Sequence, residues 1–238
     1  MQFFILVLLI CLFVFTYCVY LLAKDDFIFL RRDVTMDKIF NIIFLGSLCS
    51  LFFARLFYGF FGTKYIFANP LAFLLFPYFP GLSMLGGAVG ASVVFLFLAR
   101  NKKNSLPLKR LADFFSIAFL ITLPIGFLGY FMFAEIGFPV IRAASMIFSY
   151  LLLFVIFLKF LLPQLLSGKL KEGTIALLFL ICYSLVSLVA NALPKINILD
   201  FFTNPENLIL IVGFFAAAFF LSRQENLLLR IRKFKGKK

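Results

Sequence analysis

Long apolar runs alternate with short polar segments along almost the whole chain. A helix needs about 20 apolar residues to cross a hydrocarbon core of about 30 Å. Runs of roughly this length occur at residues 2–23, 39–62, 82–99, 111–133, 140–162, 174–193 and 207–222. The third and seventh runs are short for a span. The pattern predicts an all-α membrane protein with seven transmembrane helices.

The composition supports this interpretation. Hydrophobic residues make up 64% of the 238 residues, and the mean hydropathy is +1.10. A soluble domain is only about 45–50% apolar, whereas lipid can cover a larger apolar surface. The length fits one helical bundle, so we predict a single transmembrane domain over residues 1–222 and a basic tail over residues 223–238.

The basic residues are distributed unevenly between alternate loops. Most of the 23 Lys and Arg residues lie in segments 24–38, 100–110 and 159–172 and in the tail. The intervening loops contain only Lys64, Arg142 and Lys195. Basic loops stay in the cytoplasm, so the N-terminus is expected outside and the C-terminus inside. Topology also accounts for the net charge of +13 without a nucleic-acid partner, and the Lys-rich tail is expected to contact anionic lipid.

The first apolar run lacks the marks of a cleaved leader. No Lys or Arg precedes it, and no small-residue cleavage site follows it. Cys18 follows the bulky residues Phe15, Thr16 and Tyr17, which do not form a lipobox. We therefore expect the run to remain as a helix.

The sequence contains no His, the commonest general base and metal ligand. Catalytic triads of the Ser-His-Asp and Cys-His types are therefore excluded. The cysteines are Cys11, Cys18, Cys49 and Cys182, and they have no CxxC spacing. We interpret them as small apolar residues and predict neither a metal site nor a cofactor.

Charged residues in or near the spans are the first candidates for chemistry, because charge is costly in lipid. Arg55 either extends to the outer headgroups or presents a guanidinium fork to a phosphate or carboxylate. Glu135 is a water-facing helix end or a partner for Arg55 or Arg142. Asp113 complements the dipole at the start of its own helix.

Glycines form a second set of candidates. Gly86 and Gly90 have the GxxxG spacing that lets membrane helices approach closely, and Gly126 and Gly129 mark the fourth run. Packing is the simplest interpretation of these residues. Gly81, near Ser83, is also suited to exposing backbone N–H groups to a ligand.

Three stretches, in order along the chain, match the sequence pattern of one known family. Ala54-Arg55-Leu56-Phe57-Tyr58 is similar to that family's Gly-Ala-Arg-Leu-x-Tyr, and residues 81–87 (GLSMLGG) are similar to its Gly-Met-Ser-Phe-His-Gly-Gly. Residues 108–113 (LKRLAD) are similar to its Leu-x-x-Leu-Ala-Asp. The register then leads without a gap to residues 126–135 (GFLGYFMFAE), where the family has Gly-Arg-Ile-Gly-Asn-Phe-x-Asn-Gly-Glu.

These stretches resemble the prolipoprotein diacylglyceryl transferase family. The resemblance implies a seven-helix protein of the plasma (inner) membrane. The family moves a diacylglyceryl group from phosphatidylglycerol to the lipobox Cys thiol of a prolipoprotein, without a metal. The implied partners are therefore a membrane phospholipid and a prolipoprotein signal peptide. The positions that match the family's pattern give these substrate-binding candidates: Arg55, Tyr58, Ser83, Gly86, Gly87, Gly126, Gly129, Tyr130 and Glu135.

The chain departs from the family where the chemistry is expected. Leu85 occupies the His position, Phe127 the signature Arg position, and Tyr130 and Phe133 the two Asn positions. In the sixth run a looser alignment sets Ser187 and Asn191 at an Arg and a Glu. No catalytic residue is assigned, and we expect impaired or lost family catalysis.

Three hypotheses follow. The first is a transferase whose site is rearranged around Arg55, with Tyr58, Tyr130 or Glu135 assisting the thiol. The second is a non-catalytic relative that binds a phospholipid or an apolar helix between its spans. The third, a transporter or channel, requires a polar path that the nearly uncharged spans do not suggest.

Overall fold

The computed structural model describes residues 2–61, 82–100, 106–133, 140–192 and 205–225. All secondary structure in these ranges is helical. The helices, numbered in chain order, are α1 (Gln2–Ala23), α2 (Phe27–Arg31), α3 (Met36–Phe61), α4 (Met84–Arg100), α5 (Leu108–Phe133), α6 (Val140–Ile156), α7 (Leu162–Leu166), α8 (Thr174–Ala192) and α9 (Pro205–Gln224). A π-helical turn, Phe157–Leu161, joins α6 to α7.

The chain divides into two compact units, Met1–Leu108 and Lys109–Lys238. The first unit contains α1 to α4, and its closest helix pair is α3 with α4. The short helix α2 lies inside the basic segment 24–38, where the sequence predicted only a loop. Asp26 forms its N-cap, because its carboxylate accepts hydrogen bonds from the backbone N–H groups of Ile28 at 3.0 Å and Phe29 at 3.3 Å.

The second unit contains almost all of α5, on which Leu111, Phe114 and Ile117 are fully buried. In the same unit α8 packs against α9 and α6. Pro163 accounts for the π-helical turn: it has no N–H to donate to the carbonyl of Lys159, and the N–H of Leu162 bonds to the carbonyl of Phe157 instead.

Six of the described helices are long and apolar enough to cross a membrane. Large apolar side chains such as Phe13, Phe97 and Val212 are about two-thirds or more exposed, as expected of surfaces that face lipid. The chain is therefore a helical, multi-pass membrane protein. The seventh span, the orientation and the single-domain boundary at residue 222 stay predictions.

The predicted spans differ from the helices mainly at their ends. The third run is the helix α4 of 17 residues, about 25 Å long at 1.5 Å per residue, which is shorter than the described candidate spans. Helices α3 and α5 each begin three residues before the predicted spans. Arg223, predicted to open the tail, lies in the last turn of α9.

Candidate functional site

Arg55 lies on α3 and is only 2% exposed. A guanidinium that extends to the headgroups would leave the protein surface, so this burial argues against the first of the two predicted roles. Burying a charge in a membrane span is expensive, and such residues usually face a bundle interior or a functional cavity. Tyr58 follows Arg55 by three residues on the same helix and is half-buried.

Ser83 forms the N-cap of α4. Its hydroxyl accepts a hydrogen bond from the N–H of Gly86 at 3.3 Å, and its carbonyl accepts one from the N–H of Gly87 at 3.0 Å. Its own N–H donates to the carbonyl of Ala54 at 3.0 Å. The start of α4 is thus fastened to α3 at the residue before Arg55, which brings two of the three family-like stretches together.

Gly86, Gly87 and Gly90 form the contact between α4 and α3. A Cβ atom on Gly86 would overlap the Phe53 carbonyl oxygen and come within 2.8 Å of Ala54 Cα. A Cβ on Gly90 would come within 2.5 Å of the Cys49 carbonyl oxygen. The hydroxyl of Ser50 donates across the contact to the carbonyl of Gly87 at 2.9 Å. These glycines permit close helix packing, as the GxxxG spacing predicted.

The remaining candidates belong to the second unit or lie outside the described residues. Gly126 is half-buried and Gly129 is buried, both in the last turns of α5. Tyr130 is in the same helix, but its side chain lies outside the described part of the structure, as do the side chains of Leu85 and Phe133. Gly81 and Glu135 also lie outside the described ranges, so the roles predicted for them stay predictions.

An aromatic stack occupies the middle of the second unit. The ring of Phe127 on α5 lies parallel to that of Tyr150 on α6, with centroids 5.7 Å apart. Tyr150 also stacks on Tyr183 of α8 at 6.1 Å, and Phe179 continues the stack at 5.8 Å from Tyr183. The stack joins three helices through apolar ring contacts.

Tyr150 is completely buried, and its hydroxyl lies 3.1 Å from the hydroxyl of Ser187 on α8. One turn further along α8, the amide nitrogen of Asn191 donates to the side-chain oxygen of Asn207 on α9 at 2.9 Å. Asn207 is also completely buried. The polar groups of this region therefore hydrogen-bond one another across helix boundaries, as buried polar groups must in lipid.

The chain also matches a known protein family over most of its length. The model of the prolipoprotein diacylglyceryl transferase family matches residues 1–223. The chain belongs to this family. It is also 32% identical over 120 residues to the phosphatidylglycerol–prolipoprotein diacylglyceryl transferase of Fusobacterium nucleatum. That alignment covers 50% of this chain and 41% of the relative, so the chain spans well under half of the relative's length.

In this diacylglyceryl transferase family member, three of the positions that the sequence comparison matched to polar family residues lie in or next to the aromatic stack: Phe127, Ser187 and Asn191. Phe127, at the signature Arg position, is one ring of the stack. Ser187 and Asn191, which align loosely with an Arg and a Glu of the family, form the hydrogen bonds to Tyr150 and Asn207. Sequence reasoning identified Phe127 and Ser187 but missed Tyr150, because a lone Tyr in an apolar run carries no local signal.

The third family-like stretch forms a clasp between helix ends. Asp113 on α5 accepts hydrogen bonds from the backbone N–H groups of Gly173 at 2.7 Å and Ala176 at 2.9 Å, at the start of α8. Arg110, one turn earlier, donates to the carbonyl of Leu165 at the end of α7 at 3.3 Å. Asp113 is thus structural, as predicted, but for a different reason. Helix α5 begins at Leu108 and has no acidic residue in its first turn, so the carboxylate caps α8 and not its own helix.

The end of α9 joins the same clasp. The amide of Gln224 donates to the carbonyl of Glu172 at 2.8 Å, and the carboxylate of Glu225 accepts from the hydroxyl of Thr174 at 2.7 Å. The ammonium of Lys171 bonds to the carbonyl of Gln224. The family's Leu-x-x-Leu-Ala-Asp match therefore lies where α5, α8 and α9 are held together.

Proposed function

We propose that this chain is a phospholipid-binding member of the prolipoprotein diacylglyceryl transferase family in which the ordinary transfer reaction is impaired or lost. Membership of the family and the multi-pass membrane fold supply the general class. Beyond this class, we propose that the chain still binds the phospholipid but no longer transfers its diacylglyceryl group efficiently. The stack of Phe127 on Tyr150 carries it.

The transfer makes specific demands on a site. A carbon–sulfur bond forms between the diacylglyceryl group and the thiol while the carbon–oxygen bond to the phosphate breaks. Glycerol phosphate leaves, and the thiol proton must pass to a base or to the leaving group. The site therefore needs donors for the phosphate charge and a group that accepts or positions the proton.

Among the described residues, those of the Phe127 stack meet neither demand. A phenyl ring donates no hydrogen bond, whereas the Arg of the family signature offers five donors. Tyr150, beside it, is completely buried, and its hydroxyl is hydrogen-bonded to Ser187. Without a base or positioning group the rate typically falls by about 10²–10⁴, and the sequence has no His to supply one.

Arg55 supports the lipid-binding part of the proposal. It follows Ala54, whose carbonyl fastens the start of α4, and Ser83 caps that helix. Arg55 is buried, and a guanidinium suits an anionic group such as a lipid phosphate. The lipid we propose is phosphatidylglycerol, and a prolipoprotein signal peptide is the second proposed partner.

The retained Arg55 also favours one alternative, a transferase rearranged around this residue. In that version Arg55 holds the phosphate, and Tyr58, Tyr130 or Glu135 assists the thiol. Both versions have seven spans in the inner membrane, with the N-terminus outside and the basic tail inside. They differ in whether diacylglyceryl reaches the peptide thiol.

Lipid retention tests the binding part. The wild-type protein, Arg55→Ala, Arg55→Lys and the control Ser47→Ala are purified from membranes of equal phosphatidylglycerol and phosphatidylcholine content, and bound lipid is counted by mass spectrometry. Ser47 suits as the control because its hydroxyl bonds only within α3, to the Phe44 carbonyl. We expect Arg55→Ala to lose the preference for phosphatidylglycerol and Arg55→Lys to keep part of it. Equal preference in all four proteins contradicts the proposal.

A further inference from the structure

A groove runs between α6 and α8 in the second unit. Among the described residues it is lined by Ser145, Met146, Ser149, Leu185, Val186, Val189 and Ala190. Its volume is about 230 Å³. Both walls are candidate membrane spans, so the groove lies at the depth of the hydrocarbon core in a bilayer.

The size of the groove restricts what can occupy it. Its walls extend over about one to one and a half helical turns, roughly 6–8 Å at 1.5 Å per residue. Dividing the volume of 230 Å³ by this length gives a cross-section of roughly 30–40 Å². A helix with its side chains is about 10–12 Å across and needs more than twice that cross-section. The volume is also below the roughly 300–1,000 Å³ of sites for drug-sized ligands.

The chemistry of the lining agrees with a narrow apolar occupant. Five of the lining side chains are apolar, and the polar ones are the uncharged hydroxyls of Ser145 and Ser149. Such a surface offers neither a cation for a phosphate nor a carboxylate for an amine. In a bilayer the narrow apolar molecule available to it is a lipid acyl chain.

We infer that the groove between α6 and α8 holds a segment of one acyl chain of a membrane phospholipid, irrespective of its headgroup. The lining does not include Arg55, and the inference does not depend on the proposed phosphate binding. Ser149 directly precedes Tyr150 on α6, and Val186 directly precedes Ser187 on α8. A bound chain therefore stabilises the two helices whose hydroxyls meet at 3.1 Å.

Photolabelling of the unmodified protein tests the inference. The protein is placed in phosphatidylcholine vesicles that contain a photoactivatable lipid, either phosphatidylglycerol or phosphatidylcholine with a diazirine in one acyl chain. The vesicles are irradiated, and the labelled residues are located by mass spectrometry. We expect several-fold more label on the groove residues of α6 and α8 than on the exposed face of α9, at Val212, Phe215 and Phe219, with both probes. Equal labelling of both surfaces overturns the inference.

Substitutions separate this site from the others. Ser149→Phe fills the groove and should remove the excess label, whereas the control Leu152→Phe changes an exposed position on α6 outside the lining and should retain it. Arg55→Ala should leave the groove labelling unchanged even if phosphatidylglycerol preference is lost. A disulfide-linked dimer formed by Ser149→Cys, and not by Leu152→Cys, would assign the groove to a second copy of the chain and overturn the inference.

Discussion

The rings of Phe127 and Tyr150 lie parallel, with 5.7 Å between their centroids and 4° between their planes. Phe127 is the residue that the sequence pattern matches to the family's signature Arg, and this contact packs it against a tyrosine that is completely buried. Replacing only the Phe by Arg would direct a cation into a packed stack. The contact is thus part of the packing of α5, α6 and α8.

Phe127→Ala should lower the midpoint of thermal unfolding in detergent. Replacing a fully buried Phe by Ala lowers the free energy of unfolding by about 3–5 kcal/mol. Because Phe127 is only half-buried, we expect a loss of about 3 kcal/mol or less. The matched control is Leu128→Ala, because the neighbouring Leu128 is 49% exposed and should change the midpoint little. Equal midpoints for the two variants contradict a structural role for the stack.

The hydrogen bond between Tyr150 and Ser187 should appear in a double-mutant cycle. Tyr150→Phe and Ser187→Ala each leave one hydroxyl without this partner, whereas the double variant removes both. Interhelical hydrogen bonds in membranes contribute about 0.6 kcal/mol on average, and we expect a coupling energy of about that size. Ser116→Ala is the control for losing a hydroxyl, because Ser116 bonds only to Ala112 of its own helix. Additive effects would contradict the contact.

Gly90→Ala should destabilise the protein, because the new Cβ would lie 2.5 Å from the Cys49 carbonyl oxygen. Overpacking of this kind costs about 1–3 kcal/mol. Gly46→Ala provides the control, since a Cβ there meets nothing within 4 Å and Ala is favoured over Gly in a helix by about 1 kcal/mol. Unfolding midpoints should move in opposite directions; a shift in the same direction would argue against close packing of α3 and α4.

Asp113→Ala should loosen the start of α8. It removes the carboxylate that accepts from the N–H groups of Gly173 and Ala176, and loss of a cap costs about 0.5–2 kcal/mol. Hydrogen exchange of the first turn of α8 measures the effect, and its amides should exchange faster. Asp37→Ala, an exposed acid in the first turn of α3, is the control and should leave α8 unchanged. Unaltered hydrogen exchange in Asp113→Ala would contradict a stabilising role of Asp113 at the start of α8.

The apolar runs predicted most of the helices well. Helix α1 has the predicted bounds, and α8 ends one residue before the predicted end, because uninterrupted apolar runs identify spans directly. The short helix α2 was missed, since its five residues lie within a basic segment whose charge pattern suggested a loop. Asp26 was the local sign of it, as an Asp before an apolar run is a typical N-cap.

The candidate site was predictable only in part. The packing role of Gly86 and Gly90 followed from their spacing, and Ser83 was identified from the family match. The partners of Asp113 were not predictable, because Gly173 is 60 residues away along the chain. The same holds for Tyr150 and Ser187, which are 37 residues apart and meet only when α6 and α8 pack together.

The central claim is that the ordinary transfer is impaired or lost. Its most direct test incubates the purified protein with phosphatidylglycerol labelled in the diacylglyceryl group and a lipobox peptide, beside an active family member. Label on the peptide Cys is then measured. We predict background label with this chain and strong label with the active relative. Transfer well above background, abolished by Arg55→Ala, would contradict the claim and establish a transferase rearranged around Arg55.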